Sequence, residues 1–307
     1  MTTACEKLLL FGGLPSSYLV DWEITSDLPL AEARLGVKFE AIRQDEVRGR
    51  YDALDADSQR EASRLAAELL DGASLRRGRG TPPPPSLDGV TKATRLYVTM
   101  RQITEERGGD AVTIACLPWI HGRDLPTPCV AMGLFQEQGI PAACQGDIDA
   151  LLTMVLIKRA TGQASFMGGA IKAQGHLGIN HCVICRNLAG PECNLEPYGI
   201  STYHGRKDSP TVWADVPGGG SATVARLTRD LRQLLLLTGP LVGHRTDNSR
   251  CRNSLVVEVP DRERVFGAVK GTQNHYVVAL GNHTQALMGM AADLGIEVLR
   301  LDHEGDA

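Results

Sequence analysis

No run of about 18 apolar residues occurs anywhere in the 307-residue chain, which leaves no candidate for a membrane-spanning helix. The opening residues, MTTACEKLLLFGG, lack the charged region and small-residue cleavage site of a secretory signal, so a cytoplasmic location is expected, with no membrane partner. Basic charge is not in excess. A net charge of −4 provides no positive field for a phosphate backbone, and nucleic acid is not an expected partner. Cysteine is too sparse for a disulfide scaffold: eight in 307 residues, where such scaffolds are short and dense, and reduced thiols are the expectation. Lysine is scarce beside arginine, and no internal repeat is found. What is present is an ordinary globular balance, 43% hydrophobic and 22% charged, enough for one large or two moderate domains.

Along the chain, Lys7 to Gly13 reads as a buried strand entering a glycine turn, and Val37 to Ile42 as a second strand. Ala62, Leu65, Ala66 and Leu69 fall at i, i+3, i+4 and i+7, predicting a helix from Asp57 to Leu70 with Asp57 as cap and Gly72 as stop. Four consecutive prolines in RRGRGTPPPP (76–85) exclude helix and central strand and predict a loop. From Thr91 the order is helix to Arg107, strand Ala111–Leu117, helix Pro128–Gln138, strand Ile140–Gln145 and helix Asp147–Ala160. Alternation of this kind predicts a parallel sheet covered on both faces. After Gly162 short strand-like runs take over: 164–167, 176–182, 222–228, 234–242, 255–259, then strand His275–Leu280, helix Thr284–Leu294 and strand Ile296–Leu301. Two domains are expected, an α/β domain over 1–162 and a β-rich domain over 163–307.

Several motifs fall in one order. Cys144-Gln145-Gly146-Asp147 ends a strand, Leu152-Thr153-Met154 lies on the next helix, and Thr161-Gly162-Gln163-Ala164-Ser165-Phe166-Met167-Gly168-Gly169 follows. His181-Cys182, Ser201 to His204, Cys251-Arg252 and Asn274-His275-Tyr276 come after it, with Asp110 to Cys116 and Thr127-Pro128-Cys129 upstream. This series, spanning residues 7 to 301, resembles the L-fucose/L-arabinose isomerase superfamily. The resemblance implies a Rossmann-like parallel-sheet domain followed by a β-rich domain, a sugar-like substrate and a homo-oligomer built on trimers. It also implies a divalent ion, usually manganese, held by a glutamate, an aspartate and a histidine over the carbonyl and hydroxyl of an open-chain sugar. Those three positions fall on Gln145, Gly169 and His275, so that only the histidine is retained. An amide brings a hard cation no charge and no proton transfer near neutral pH, and glycine brings nothing.

The remaining chemistry rests on a short set of candidates. Asp147 is read as a helix cap or as a base facing the pocket, with Asp149 beside it favouring the helix N-terminus. Gln145 is a buried relic or an amide that orients substrate, and Gly169 and His121 are placed at the same pocket. His181, Cys182 and Cys185, with Cys193 and Cys251, form the densest soft-ligand cluster. Cys182-x2-Cys185 has a zinc spacing without the second pair that would complete it, and Cys182 is alternatively a nucleophile with a histidine base. His275 and His204 are candidate acids or bases, because imidazole titrates near neutral pH. The function expected is metal-independent proton transfer on a small polar carbonyl compound: isomerisation, elimination or cyclisation. The alternatives are a silent ligand-binding protein, or a metal-dependent isomerase with rearranged manganese or zinc ligands.

Overall fold

A computed structural model describes residues 6–12, 27–74, 85–117, 119, 125–190, 195–205, 209–245, 251–271 and 275–302. The proline loop, apart from Pro85, and His121 lie outside them, as does Cys193. Strands β1 (Glu6–Phe11), β2 (Val37–Ile42), β3 (Ala111–Ile114) and β4 (Ala142–Cys144) form a parallel sheet in the order β2-β1-β3-β4. Phe11 pairs with Ile114, and Ile114 with Cys144, so three strands end level with one another. Beyond that edge the chain turns sharply. Gln145 and Gly146 are both left-handed, with φ of 62° and 67°, and the Gly146 amide donates to the Ile114 carbonyl at 2.9 Å. A non-glycine residue in that conformation carries strain.

Helices α1 (Leu28–Leu35), α2 (Gln44–Asp52), α3 (Ala56–Asp71), α4 (Leu87–Arg107) and α5 (Cys129–Glu137) lie between these strands in the chain, and α6 (Ile148–Thr161) follows the last of them. One core packs α3, α4 and α5 on one face of the sheet, through Ala62, Ala66, Leu69, Leu96, Ile103 and Phe135. The other face is covered by α6. Every residue from Ile148 to Ile157 is buried, Asp149 and Thr153 among them, and a helix apolar on nearly every side must be enclosed.

On the side away from that sheet α6 packs against the outer wall of a barrel. Strands β5 (Phe166–Ala173), β6 (His176–His181), β9 (Ser221–Leu227), β10 (Gln233–Arg245), β11 (Asn253–Val257) and β12 (His275–Leu280) run in the order β11-β6-β5-β12-β9-β10, and β10 pairs again with β11 to close the ring. All those pairings are antiparallel, while β13 (Glu297–Arg300) joins β10 in parallel. Alternation along the strands sorts their side chains. Leu235, Leu237, Tyr276 and Val278 fill the barrel, while Leu234, Leu236, Val277 and Ala279 pack with α6 and with helix α8 (Thr284–Asp293).

Some sequence expectations need correction. The cap of α3 is Asp55, whose side chain accepts from the Ser58 amide, and not Asp57. The strand expected over 111–117 stops at Ile114, and the run expected over 164–167 extends to Ala173. A hairpin of β7 (Tyr198–Thr202) and β8 (Pro210–Ala214), and helix α7 (Arg262–Gly271), were not expected. No helix among the described residues is long and apolar enough to cross a membrane.

Candidate active site

At the carboxyl edge of the parallel sheet, where α/β proteins place their ligands, the turn at Gln145 and Gly146 delivers Asp147 to the start of α6. Asp147 takes the first of the roles suggested for it, and its second oxygen holds His275 where a base facing the pocket was the alternative. Its Oδ1 accepts from the Ala150 amide at 2.8 Å as a helix cap, while Oδ2 lies 2.9 Å from His275 Nδ1 at the first residue of β12. Arg226, 1% exposed on β9, closes the network. Its Nη1 lies 3.2 and 3.1 Å from the two Asp147 oxygens and donates to the His275 carbonyl at 2.6 Å, and Nη2 reaches Asp149 Oδ2 at 3.2 Å. Burial works to raise the Asp147 carboxyl. The Arg226 guanidinium and the His275 hydrogen bond outweigh it and hold the group well below the usual carboxylate range.

His181, at the end of β6, meets His275 edge to face with ring centroids 5.5 Å apart. Burial, helped by the neighbouring His275, pushes its imidazole down to about 3, so it is neutral near pH 7. Its Nδ1 accepts from the Val183 amide at 3.1 Å, which assigns the proton to Nε2.

The sulfur chemistry lies beside these rings and differs from its expected form. Cys185 is fully buried in the barrel core and does not join Cys182 as a ligand pair. The group that forms is Cys182, His204 and Cys251, with donor atoms all within 4.8 Å of one another. His204 sits in a short turn after β7 with φ 47° and ψ 36°, and its Nε2 lies 3.6 Å from Cys251 Sγ. Cys182 is the wrong thiol of the pair for a nucleophile. It is 2% exposed, and its hydrogen bond to Cys251, reinforced by burial, pushes it well up. Cys251, drawn down by that bond and by His204, titrates at about 5.

The manganese ligand set implied by the resemblance does not fit these residues. Gly169 is the register partner of His275 in β5 and β12, the right place for a facing ligand, but it has no side chain. Gln145 offers an uncharged amide. Asp147, the nearest carboxylate to Gln145 in the chain, is committed to Ala150, His275 and a buried guanidinium whose charge repels a cation. No reaction step is therefore taken through such an ion. Arg226 was missed in the sequence, although an arginine inside the apolar strand SATVARL is the signal that finds it.

No family model matches the chain. It is 25% identical over 224 residues to sulfoquinovose isomerase of Clostridium sp. (strain MSTE9), an alignment that takes in 68% of this chain. The chain spans about half the length of that relative, 47%. The similarity supports a sugar-isomerase relationship, and the narrower fucose and arabinose grouping rests on the motifs alone.

Proposed function

We propose that the protein is a sugar-isomerase-like enzyme that moves a proton between adjacent carbons of a small, polar, open-chain carbonyl compound. The hydrogen bond between Asp147 Oδ2 and His275 Nδ1 carries this reading. A carboxylate held in its charged form fixes the imidazole so that Nδ1 bears the proton and Nε2 is left as a base, the orienting logic of a histidine–aspartate pair. His275 then takes the proton from the carbon next to the carbonyl and returns it to the former carbonyl carbon. A hydroxyl proton passes in the same sense, from the hydroxyl oxygen to the former carbonyl oxygen, so substrate and product are isomers. As the enediol forms, its oxygen gains charge, and the neutral His181 donates to it from Nε2. A neutral imidazole suits that task because it polarises the carbonyl without first giving up a proton. Isomerisation is favoured over elimination or cyclisation by the similarity to a sugar isomerase.

The test is deuterium uptake from heavy water, followed by NMR, across a panel of aldoses and ketoses that includes sulfoquinovose. The wild-type protein should label the carbon next to the carbonyl of at least one sugar. His275→Asn should lower that rate by at least about 100-fold, the smaller value of a well-placed general base. Labelling at the wild-type rate in His275→Asn removes His275 from the reaction.

A further inference from the structure

We propose that Cys182, His204 and Cys251 form a zinc site with one coordination position left open. The three donors come from separate elements, at the end of β6, after β7 and before β11, and their donor atoms lie within 4.8 Å of one another. Tetrahedral zinc with Zn–S near 2.3 Å and Zn–N near 2.0 Å needs donor separations of about 3.5–3.8 Å. The His204 to Cys251 separation is already 3.6 Å, so closure onto a metal asks for side-chain movements of about 1 Å or less. Two thiolates and an imidazole select zinc over the hard, oxygen-seeking cations.

The surroundings hold these donors in place. The Arg252 guanidinium, fully buried, donates from Nε and Nη2 to the Thr202 carbonyl at 3.0 and 2.9 Å, tying the residue after Cys251 to the hairpin that presents His204. The Arg252 amide donates to the Cys182 sulfur, and the Thr211 hydroxyl donates to the Cys182 carbonyl. Asn180 reaches the Cys251 carbonyl at 3.2 Å from Nδ2. Outer contacts of this kind orient ligands in metal centres. Among the described residues the group has no fourth His, Cys, Asp or Glu donor, and three protein ligands with an open position is the pattern of zinc that meets substrate. Zinc uptake stands independently of the reaction proposed above. The use of that metal to polarise a carbonyl beside His275 rests on it.

Protein purified with zinc should hold one equivalent per chain by mass spectrometry of the metal. Cys251→Ser, Cys182→Ser and the exposed His204→Ala should each weaken zinc binding by more than the roughly 10- to 100-fold that outer-shell changes cost. Cys185→Ala should leave zinc bound, which separates this site from the Cys-x2-Cys pair. X-ray absorption on the wild-type protein should find two sulfurs and lighter donors, a measurement that needs no variant to fold. Substoichiometric zinc, three or more sulfurs in the shell, zinc retained in His204→Ala, or a Cys182–Cys251 disulfide in the purified protein would each overturn the proposal.

Discussion

His181 shows how a single side chain ties the stability of the fold to pH. Its imidazole is held down to about 3 in the fold, against about 6.5 when unfolded. Below about pH 6 the unfolded chain therefore binds a proton that the folded chain refuses, and stability falls as pH falls, with a slope of about 1.4 kcal/mol per unit from this group between about pH 6 and 4. Asp147 works in a different window. Its folded pKa is depressed, so its contribution is fully present above the unfolded value near 3.9 and is lost only below it. His181→Gln keeps an acceptor for the Val183 amide and removes the titration. Urea unfolding at pH 4, 5 and 6 should give the variant a slope shallower by about that amount, and equal slopes would show that His181 is charged in the fold.

Elements set by local pattern were legible in the sequence, and those set by distant partners were not. The apolar positions of α3 and the largely apolar run of α6 declare helices by themselves, and β12 was placed to the residue. The cap of α3 was misplaced because Asp55 and Asp57 carry the same signal, and only the Ser58 hydrogen bond separates them. Barrel closure depends on β10 leaving β9 near Pro240 and pairing with β11 through a register shift between Leu241 and Gly243, which no local period encodes. The site follows the same rule. Asp147 and His275 were each found as candidates, but their contact spans 128 residues and the Arg226 bridge 79. The closure also carries a prediction. A Cβ at Gly239 would lie 2.3 Å from the Glu258 carbonyl oxygen, so Gly239→Ala should cost about 1–3 kcal/mol through overpacking. Gly289, on the exposed side of α8 with nothing within 4 Å, should instead gain about 0.5–1 kcal/mol as Ala. Opposite shifts in the urea midpoint at unchanged slope check both, and a neutral Gly239→Ala would mean that β10 and Glu258 do not approach as described.

At the scale of the whole molecule, the two sheets divide cleanly along the chain, yet their cores do not. All strands of the parallel sheet precede residue 145 and all strands of the barrel follow residue 165. One core nevertheless joins Leu8, Leu10 and Ala143 of the first sheet, through α6, to Leu227, Leu236 and Val277 of the barrel, and another takes Cys182 and Val183 in among α4 and α5. The charges interlock in the same way. Arg226 belongs to the barrel, whereas Asp147 and Asp149 belong to the α/β half, and all three are at most 2% exposed as side chains. Separating the halves would leave buried charges without partners, and breaking such a pair typically costs about 3–5 kcal/mol. It would also expose the barrel-facing side of α6. A chain cut at residue 162 should therefore yield two fragments that do not fold alone, while the intact protein unfolds in a single cooperative transition. Amide exchange and thermal unfolding of 1–162 and 163–307, expressed separately and then mixed, test this directly. A fragment with protected amides and its own sharp melting transition would show that the shared core is an interface between independent domains.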